Sequence, residues 1–356
     1  MRIFIDIGHP AHVHYFRNFI QLMQAKGHEF FVSARNKEVI HTLLQQYNIA
    51  FYNRGKGATG MAGKFWYIFK ADVLLLIKAR TFKPDLFISF ASPYAAHVAW
   101  LMKKPHIVLD DTESASLNHK LYLPFSKVAM NPVSFKKNMG EKQVRFNSFM
   151  ELSYLHPKYF QPSDNIFHHL KINPEEKYCI LRFVSWHANH DVGQKGMDFY
   201  TKLKLVDMLD KEMKVFISSE GELPEQLRKY QITIPPEKLH DALAFADLYI
   251  GEGATTASEC VMLGTPAIYI NSLSAGTLEE QKKSGLLHNL RDTTDLFTTL
   301  EKILADPGYK KQIQNKRDQL LSDKIDPTAF LVWFIENYPA SFETMKTDSD
   351  YQYRFR

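Results

Sequence analysis

The chain has 356 residues, which is long for one domain and sufficient for two domains that each bury a core. Its net charge is only +5 and it has no arginine-rich arm, which argues against nucleic acid as a partner. It contains no run of about eighteen apolar residues and only two distant cysteines, Cys179 and Cys260, which excludes a transmembrane helix and a disulfide framework. Basic loop residues such as Arg54 are expected on a solvated surface, or facing an anionic partner such as a lipid or a nucleotide.

Short apolar runs rich in Ile, Val and Phe alternate with longer amphipathic segments along the chain. This alternation predicts βαβ units and parallel sheets. The predicted strands span residues 2–7, 29–33, 86–90, 106–110, 126–130, 178–184, 214–218, 248–250 and 267–270, and the predicted helices include residues 15–26, 198–209 and 256–263.

A segment of different composition separates the two series of predicted strands. Residues 153–176 carry prolines and polar residues without a clear period, which is typical of a linker. We therefore expect an N-terminal domain over residues 1–160 and a C-terminal domain over residues 172–326, each with its own doubly wound sheet. An apolar helix over residues 327–345 must bury one face, against the N-terminal domain, the C-terminal domain, a membrane or a partner. The residues after Thr347 are expected to fray.

The most informative segment is the one in which the predicted strand 248–250 ends in a Gly-x-Gly turn and a helix follows. Glycines allow close approach to the backbone, and the free amides at the start of a helix suit a phosphate. Thr255 and Thr256 add hydroxyl donors, and Glu259 is placed to accept hydrogen bonds from the two hydroxyls of a ribose. The alternative is an ordinary strand–turn–helix with Thr255 as the N-cap and Glu259 on the surface.

The segment Gly253-Ala254-Thr255-Thr256-Ala257-Ser258-Glu259, followed by Gly264-Thr265-Pro266-Ala267, resembles the donor-binding segment of GT-B glycosyltransferases, especially the MurG-type N-acetylglucosaminyltransferases. The later Glu279-Glu280-Gln281 resembles the acidic or glutamine pair of that family. With its Asp-Asp-Thr-Glu segment, the chain is also similar to an uncharacterised GT-B group called DUF354. The resemblance implies an α/β GT-B fold, with two Rossmann-like domains whose parallel sheets face across a cleft. It assigns the binding of a nucleotide sugar, with UDP as the expected nucleotide, to Gly251, Gly253, Ala254, Thr255, Thr256, Glu259, Glu280 and Gln281.

Three histidines follow the first predicted strand, in a segment expected to form a loop before the first helix and similar to the Gly-His loop of GT-B acceptor domains. Ligands of open α/β sheets gather at the carboxyl ends of the strands, and a histidine there can accept a proton near neutral pH. We therefore expect His12, or else His9 or His14, to act as a base. The alternatives are histidines that cap a helix or line a cleft, and a metal site, which the absence of the His-x-His-x-Asp-His spacing of a hydrolase disfavours. The resemblance to GT-B enzymes, which stabilise the leaving diphosphate with helix termini and polar side chains, implies that no metal is essential.

Three carboxylates crowd at the end of the predicted strand 106–110, namely Asp110, Asp111 and Glu113. Like charges so close together raise the pKa of at least one of them, as acid–base work requires. We expect one of the three to orient the histidine base. A solvated loop, or a helix N-cap with an acidic first turn, is the alternative.

A second polar loop follows the first strand of the C-terminal domain and carries Ser185, His187 and Asn189. It resembles a loop of the hexosamine-nucleotide 2-epimerases, which share the GT-B fold. The resemblance places these three side chains beside the nucleotide sugar. A structural histidine packed against Trp186 is the alternative for His187.

The leading functional prediction is a metal-independent glycosyltransferase that moves a sugar from a UDP-linked donor to a glycan, lipid-linked or other acceptor, with a role in cell-envelope polysaccharide biosynthesis. The alternatives are an enzyme like the UDP-N-acetylhexosamine 2-epimerases, with His187 and Asp111 or Glu113 as acid and base, and a non-catalytic nucleotide-sugar-binding protein. A metal-dependent hydrolase that uses the histidines is weaker still. We expect no cofactor besides the substrate, and a cytoplasmic location with contact at the inner face of the membrane. The oligomeric state stays open.

Overall fold

The computed structural model describes residues 1–58, 60–183, 197–219 and 221–356, without the side chains of residues 61, 62, 64 and 65. The described chain divides into two compact units. Unit 1 comprises Met1–Tyr159 and Lys324–Arg356, and unit 2 comprises Phe160–Asp323. No helix among the described residues has the length and apolar character needed to cross a bilayer.

Each unit is built on one sheet in which all the paired strands run parallel. The sheet of unit 1 has the order β3-β2-β1-β4-β5-β6-β7, and that of unit 2 has the order β12-β11-β10-β8-β9. The strands are β1 (Arg2–Ile7), β2 (Glu29–Ala34), β3 (Phe51–Asn53), β4 (Leu86–Phe90), β5 (His106–Leu109), β6 (Val128–Pro132), β7 (Gln143–Phe146), β8 (Tyr178–Phe183), β9 (Lys214–Ser219), β10 (Leu248–Gly251), β11 (Ala267–Ile270) and β12 (Leu287–Leu290).

Helices connect the strands in both units. They are α1 (Pro10–Ala25), α2 (Ile40–Gln46), α3 (Met61–Phe82), α4 (Pro93–Leu101), α5 (Ser116–Tyr122), α6 (Leu152–Leu155), α7 (Ile166–Leu170), α8 (Phe199–Leu209), α9 (Leu239–Phe245), α10 (Ala254–Leu263), α11 (Gly276–Lys283), α12 (Leu296–Leu304), α13 (Tyr309–Ser322), α14 (Pro327–Glu336) and α15 (Ala340–Thr347). Of these, α1 to α6, α14 and α15 belong to unit 1.

Both sheets are doubly wound, which confirms the predicted class of two Rossmann-like α/β domains. The direction of strand succession reverses between β1 and β4 in unit 1, and between β8 and β10 in unit 2. Ligands of such sheets bind outside the carboxyl ends of the strands at this reversal. The topology therefore predicts that ligand-binding residues follow β1, β4, β8 and β10.

The strands that the sequence did not predict are β3, β7 and β12. All three are edge strands that pair on one side only. An edge strand has a neighbouring strand on one side only and is less buried than a central strand. It therefore does not need the continuous apolar run by which a central strand is recognised in the sequence. In β7, for example, buried Val144 and Phe146 alternate with half-buried Gln143 and Arg145.

The first helix begins earlier than predicted. Helix α1 starts at Pro10, with His9 as its N-cap. Proline is favoured at the first helical position because its missing N–H has no intrahelical partner there. The prediction of a loop over the three histidines was therefore wrong, since His12 and His14 lie on the helix.

The C-terminal segment also differs from the prediction. Two helices, α14 and α15, replace the single helix, and α14 packs against α1 and α6 of unit 1. The last residues do not fray: Tyr351 stacks on Trp333 with ring centroids 4.7 Å apart, and Phe355 lies 5.7 Å from Phe330. Aromatic side chains therefore anchor the end of the chain to α14.

Candidate functional site

A buried ionic network lies at the strand reversal of unit 1. Asp6, near the end of β1, accepts hydrogen bonds from Arg54 Nε at 2.8 Å and Nη2 at 3.3 Å. The hydroxyls of Ser33 and Ser92 each donate to one of its carboxylate oxygens at 2.6 Å. Asp6 is fully buried, and all these partners come from the ends of neighbouring strands. The carboxylate is thus held by four donors.

Arg54 is enclosed as completely as its partner, with 5% of its surface exposed. Its Nη1 donates to the Tyr67 hydroxyl at 2.7 Å, and its guanidinium lies 4.7 Å from the centre of the Tyr94 ring. Burial alone would lower the pKa of Arg54, but the Asp6 carboxylate raises it, so the guanidinium stays charged. The expectation of a solvated Arg54 was therefore wrong.

His12 lies beside this network in the first turn of α1. Its ring packs 4.8 Å from that of Phe90, and its Nδ1 accepts a hydrogen bond from the Gly8 amide at 3.3 Å. Burial lowers the pKa of His12 well below its ordinary value, with a further contribution from the positive charges of His9, Lys37 and Arg54. The ring is therefore neutral at physiological pH. Because Nδ1 is an acceptor, Nε2 carries the proton and presents a donor.

The other two histidines have different surroundings. His9 is exposed, and its Nδ1 accepts the Ala11 amide at 3.3 Å as the helix cap. His14 is buried, stacks on Tyr154 with ring centroids 5.1 Å apart, and has Nδ1 at 3.4 Å from the Tyr47 hydroxyl. The three histidine rings thus lie in three different environments. Among the described residues, no group of three or more His, Cys, Asp or Glu side chains is arranged to hold a metal ion.

The acidic segment after β5 is partly buried. Asp110 is fully buried and accepts hydrogen bonds from the Tyr122 hydroxyl and, at 2.8 Å, from the Thr112 amide, with His119 Nε2 at 3.1 Å. Burial and the neighbouring Asp110 charge raise the pKa of Asp111 to about 7. Glu113 accepts a hydrogen bond from the Lys136 amide at 3.2 Å.

The predicted pairing of the histidine base with these acids is not present. The hydrogen-bond partner of His12 in the described structure is the Gly8 amide. None of Asp110, Asp111 and Glu113 bonds to it in the part of the chain that the structure describes. Asp110 is instead occupied by Tyr122, Thr112 and His119, because the strand end turns its carboxylate into the protein.

In unit 2, the turn after β10 lies at the strand reversal. Gly253 is the N-cap of α10, and no side chain among the described residues caps the first turn of this helix. Ala254 is exposed and Thr255 half-buried, so the start of the helix is open on one side. Thr255 is therefore not the N-cap, and the helix begins two residues earlier than predicted. Uncapped amides at a helix start attract an anion.

Gly251 is required for a reason different from the one expected. A Cβ atom placed there would lie 2.3 Å from the Tyr249 hydroxyl and 3.0 Å from the Arg182 carbonyl oxygen. Both Gly251 and Tyr249 are buried. The missing side chain at residue 251 therefore makes room for Tyr249 beneath the turn, whereas Gly253 and Ala254 lie toward the surface.

Glu259, on the second turn of α10, is buried rather than on the surface, with 4% of its area exposed. Its Oε1 lies 3.0 Å from Nε2 of His240, which comes from α9 and is also buried. Thr256 is likewise buried. A ribose at Glu259 would thus meet a carboxylate already oriented by a histidine. The alternative, an ordinary strand–turn–helix with Glu259 on the surface, is wrong.

Gln281 and Glu280 lie on α11, the helix that follows β11. Gln281 is fully buried, and its Nε2 donates to the hydroxyl of Ser258 on α10 at 2.6 Å. Its Oε1 is buried without a hydrogen-bond partner in the described structure. Glu280 is half-buried. The Gln281 amide therefore joins α10 to α11, which differs from the direct sugar contact that the resemblance implies.

One buried acid at this edge was missed by the sequence analysis. Glu252, the middle residue of the Gly-x-Gly turn, accepts a hydrogen bond from the Met197 amide at 2.6 Å, and Lys202 Nζ lies 3.8 Å from its other oxygen. Its side chain is fully buried. The signal in the sequence that could have revealed Glu252 is a charged residue between two glycines.

The predicted contact residues Ser185, His187 and Asn189 lie outside the described residues.

Comparison with known proteins adds three results. The model of the family described as protein of unknown function DUF354 matches residues 1–324. An uncharacterised protein of Methanocaldococcus jannaschii is 26% identical over 279 residues, which cover 75% of this chain and 80% of that protein.

Solved structures of two kinds share the fold. One is a UDP-N-acetylglucosamine 2-epimerase from Neisseria meningitidis bound to UDP-N-acetylglucosamine, with a TM-score of 0.65 at 12% identity, covering 90% of this chain and 99% of that one. Another is a glycosyltransferase from Streptomyces sp. SF2575, with a TM-score of 0.59 at 15% identity, covering 95% of this chain and all of that one. At such identities the similarity concerns the fold alone.

Proposed function

Since the chain belongs to the DUF354 family of proteins of unknown function, we propose from the features of its own units that it is a nucleotide-sugar enzyme, and that it works as a glycosyltransferase. Unit 2 binds the diphosphate of a UDP-sugar at the turn formed by residues 251–256. Unit 1 binds the acceptor, a glycan or a lipid-linked sugar, at the edge that carries Asp6 and His12.

The observation that carries this proposal is the open start of α10. It follows β10 at the strand reversal, where α/β sheets bind ligands. Within the described part of the chain it has no side-chain cap, and it begins with the exposed Ala254. Amides and helix dipole together offer a diphosphate several hydrogen bonds and a positive potential. The fold relatives named above include a protein solved with a UDP-sugar, which supports the same ligand class.

The chemistry follows from the same groups. Transfer breaks the bond between the anomeric carbon and the diphosphate oxygen, and the amides of α10 stabilise the charge on the leaving diphosphate, so that no metal is required. The acceptor hydroxyl forms the new bond and releases its proton. In the present tautomer Nε2 carries the proton of the neutral ring, because Nδ1 accepts the Gly8 amide. For His12 to take the acceptor's proton at Nε2, its own proton has to move to Nδ1, which requires that the Gly8 amide no longer donates there. Ser185, His187, Asn189, Glu259, Glu280 and Gln281 remain proposed contacts of the donor.

A second candidate, 2-epimerisation of a UDP-N-acetylhexosamine, is favoured by Asp111. Its pKa of about 7 allows this carboxyl group both to give and to take a proton at physiological pH. An epimerase needs such groups on the two faces of the sugar, and no acceptor.

One experiment separates the candidates. A panel of UDP-sugars is first screened for thermal stabilisation of the protein, because a bound ligand stabilises the native state. Each binder is then incubated with and without glycan and lipid-linked acceptors. UDP release that requires an acceptor supports the transferase, and a new UDP-sugar isomer without acceptor supports the epimerase. If no UDP-sugar stabilises the protein, the proposed function is wrong.

A further inference from the structure

Two neighbouring helices of unit 1 expose large apolar side chains to an unusual extent. On α3, the exposed fraction is 68% for Trp66, 61% for Phe69 and 56% for Ile77. On α4 it is 58% for Trp100. Single exposed apolar residues are common on soluble proteins, but a contiguous group marks an interaction surface.

The residues on α3 form one stripe. Trp66, Phe69, Val73 and Ile77 are spaced by three or four residues and therefore lie on the same face of the helix. The stripe is about 16 Å long at the rise of an α-helix. The rings of Trp66 and Phe69 contact each other, with centroids 5.8 Å apart.

The core does not account for this stripe, because α3 already has a separate buried face. Leu75 and Ala79 on that face are buried in a cluster with Phe4 and Phe87 of the sheet. Burial of the core therefore does not explain the second apolar face of this helix.

Helix α4 extends the apolar surface. The two helices pack side by side, and Nδ1 of His97 on α4 lies 2.8 Å from Oδ2 of Asp72 on α3. Trp100 and Leu101 follow His97 by about one turn and are exposed. We call Trp66, Phe69, Val73, Ile77, Trp100 and Leu101 the α3/α4 patch.

Cationic side chains border the patch. Lys70 and Arg80 of α3 are exposed, and Lys103, just after α4, is exposed as well. The acidic residue of α3, Asp72, is turned toward His97. The border is therefore positive, with tryptophan and phenylalanine at its centre. Helices that lie in the interface of an anionic bilayer combine these features, because the rings enter the headgroup region while the cations meet lipid phosphates.

We propose that the α3/α4 patch docks the protein peripherally on a bilayer that contains anionic lipids, with α3 parallel to the membrane surface. The proposal goes beyond the proposed function and does not depend on it. A lipid-linked acceptor would be presented at the same surface, but the patch would bind the bilayer whatever the enzyme's substrate.

The test is flotation of the full chain with vesicles of phosphatidylcholine alone, and with vesicles that also contain phosphatidylglycerol. The wild type is expected to float with the anionic vesicles and to be released as salt is raised. In W66Q/F69Q, partition should fall by about tenfold or more, because two interfacial aromatic rings are lost. Tyr200, on α8 of unit 2, is 82% exposed, so Y200Q is a matched control that should bind as the wild type does.

A charge variant gives an independent readout. K70E/R80E keeps the aromatic rings and should lose the preference for anionic vesicles, so it still tests the proposal if W66Q/F69Q fails to fold. The proposal is overturned if the wild type does not float, or if the patch variants float as well as Y200Q. It is also overturned if, without vesicles, W66Q/F69Q converts an oligomer to a monomer while lipid binding persists, because the patch then joins copies of the chain. Calorimetric titration of the same variants with UDP reports the proposed function separately, since it should be unaffected.

Discussion

Arg54 Nε donates to Asp6 Oδ1 at 2.8 Å inside unit 1, and the two side chains are 2% and 0% exposed. The pair joins the end of β1 to the residue that follows β3, across β2. A buried charge that loses its partner is strongly destabilising, whereas a paired one is tolerated. This ion pair therefore fixes the edge of the sheet on which His12 lies.

Arg54→Met should lower the free energy of unfolding by about 3–5 kcal/mol, because the Asp6 carboxylate would be left buried and unpaired. Chemical denaturation of the purified variant measures this. Lys56→Met, two residues along the same loop but exposed, is the matched control and should change stability by less than about 0.5 kcal/mol. Equal effects of the two substitutions would show that the Asp6–Arg54 pair does not hold this edge.

The contribution of buried His106 to stability should become increasingly unfavourable as pH drops below about 6.5. This residue is fully buried between the hydroxyls of Ser89 and Ser126, and burial lowers its pKa to about 3. Between about pH 6.5 and 3 the unfolded chain binds a proton that the folded chain does not, so each pH unit costs about 1.4 kcal/mol.

The measurement is urea unfolding of the wild type and His106→Asn at pH 7.5, 6 and 5, in which the variant is expected to lose less stability than the wild type as pH falls. His168→Asn, at an exposed position, should retain the wild-type dependence. If His106→Asn keeps the full slope, the acid sensitivity comes from other groups.

Asp111→Asn should make the protein more stable at pH 8 and leave stability unchanged at pH 4. Burial and Asp110 raise the pKa of Asp111 to about 7 from an ordinary 3.8. Between these values the unfolded chain releases a proton that the folded chain keeps, so native stability falls as pH rises to about 7. The asparagine removes this cost, and its amide oxygen can still accept from Thr112.

Unfolding curves at the two pH values check the effect, with the exposed Glu141→Gln as control. A variant that is less stable than the wild type at pH 8 would mean that Asp111 is held as a favourable carboxylate. The pH profile of catalysis should also lose an ionisation near pH 7 if Asp111 exchanges protons with substrate.

Glu259→Gln should weaken UDP binding by about tenfold or more and leave the binding of inorganic pyrophosphate unchanged. The reason is that the proposal assigns Glu259 to the ribose, which pyrophosphate lacks. Calorimetric titration with the two ligands measures both affinities, and Glu225→Gln, at an exposed position of unit 2, is the control. Equal losses for both ligands would indicate that the buried Glu259–His240 pair only supports α10.

The fold could be predicted from the sequence because its central strands must be apolar along their whole length. The predictions for residues 2–7 and 86–90 coincide with β1 and β4, which are buried along almost their whole length. The start of α1 was missed although Pro10 marks it, because the segment that carries His9, His12 and His14 was interpreted as a loop. The edge strands β3, β7 and β12 lack this continuous apolar run, whereas the edge strand β9 was predicted.

The candidate site was only partly predictable, because sequence proximity does not reveal pairings over long separations. Arg54 is 48 residues from Asp6, and no local pattern joins them. His240 and Glu259 come from consecutive helices, but their contact depends on how α9 and α10 pack. The glycine turn after β10 could be located, since a strand, a turn and a helix start are all local features.

If the start of α10 holds the diphosphate, a negative charge in its first turn should weaken the binding of UDP, and two variants of Ala254 measure this effect. Ala254 is exposed in the first turn of this helix. A carboxylate there suits the helix dipole, so Ala254→Asp should fold normally, but it repels a diphosphate. Ala254→Asn has nearly the same shape without the charge.

Titration calorimetry with UDP should give a dissociation constant at least about tenfold higher for Ala254→Asp than for Ala254→Asn. The asparagine variant should stay within about threefold of the wild type. If the two variants bind UDP equally well, the nucleotide is not held at the start of α10, and the proposed donor site is wrong.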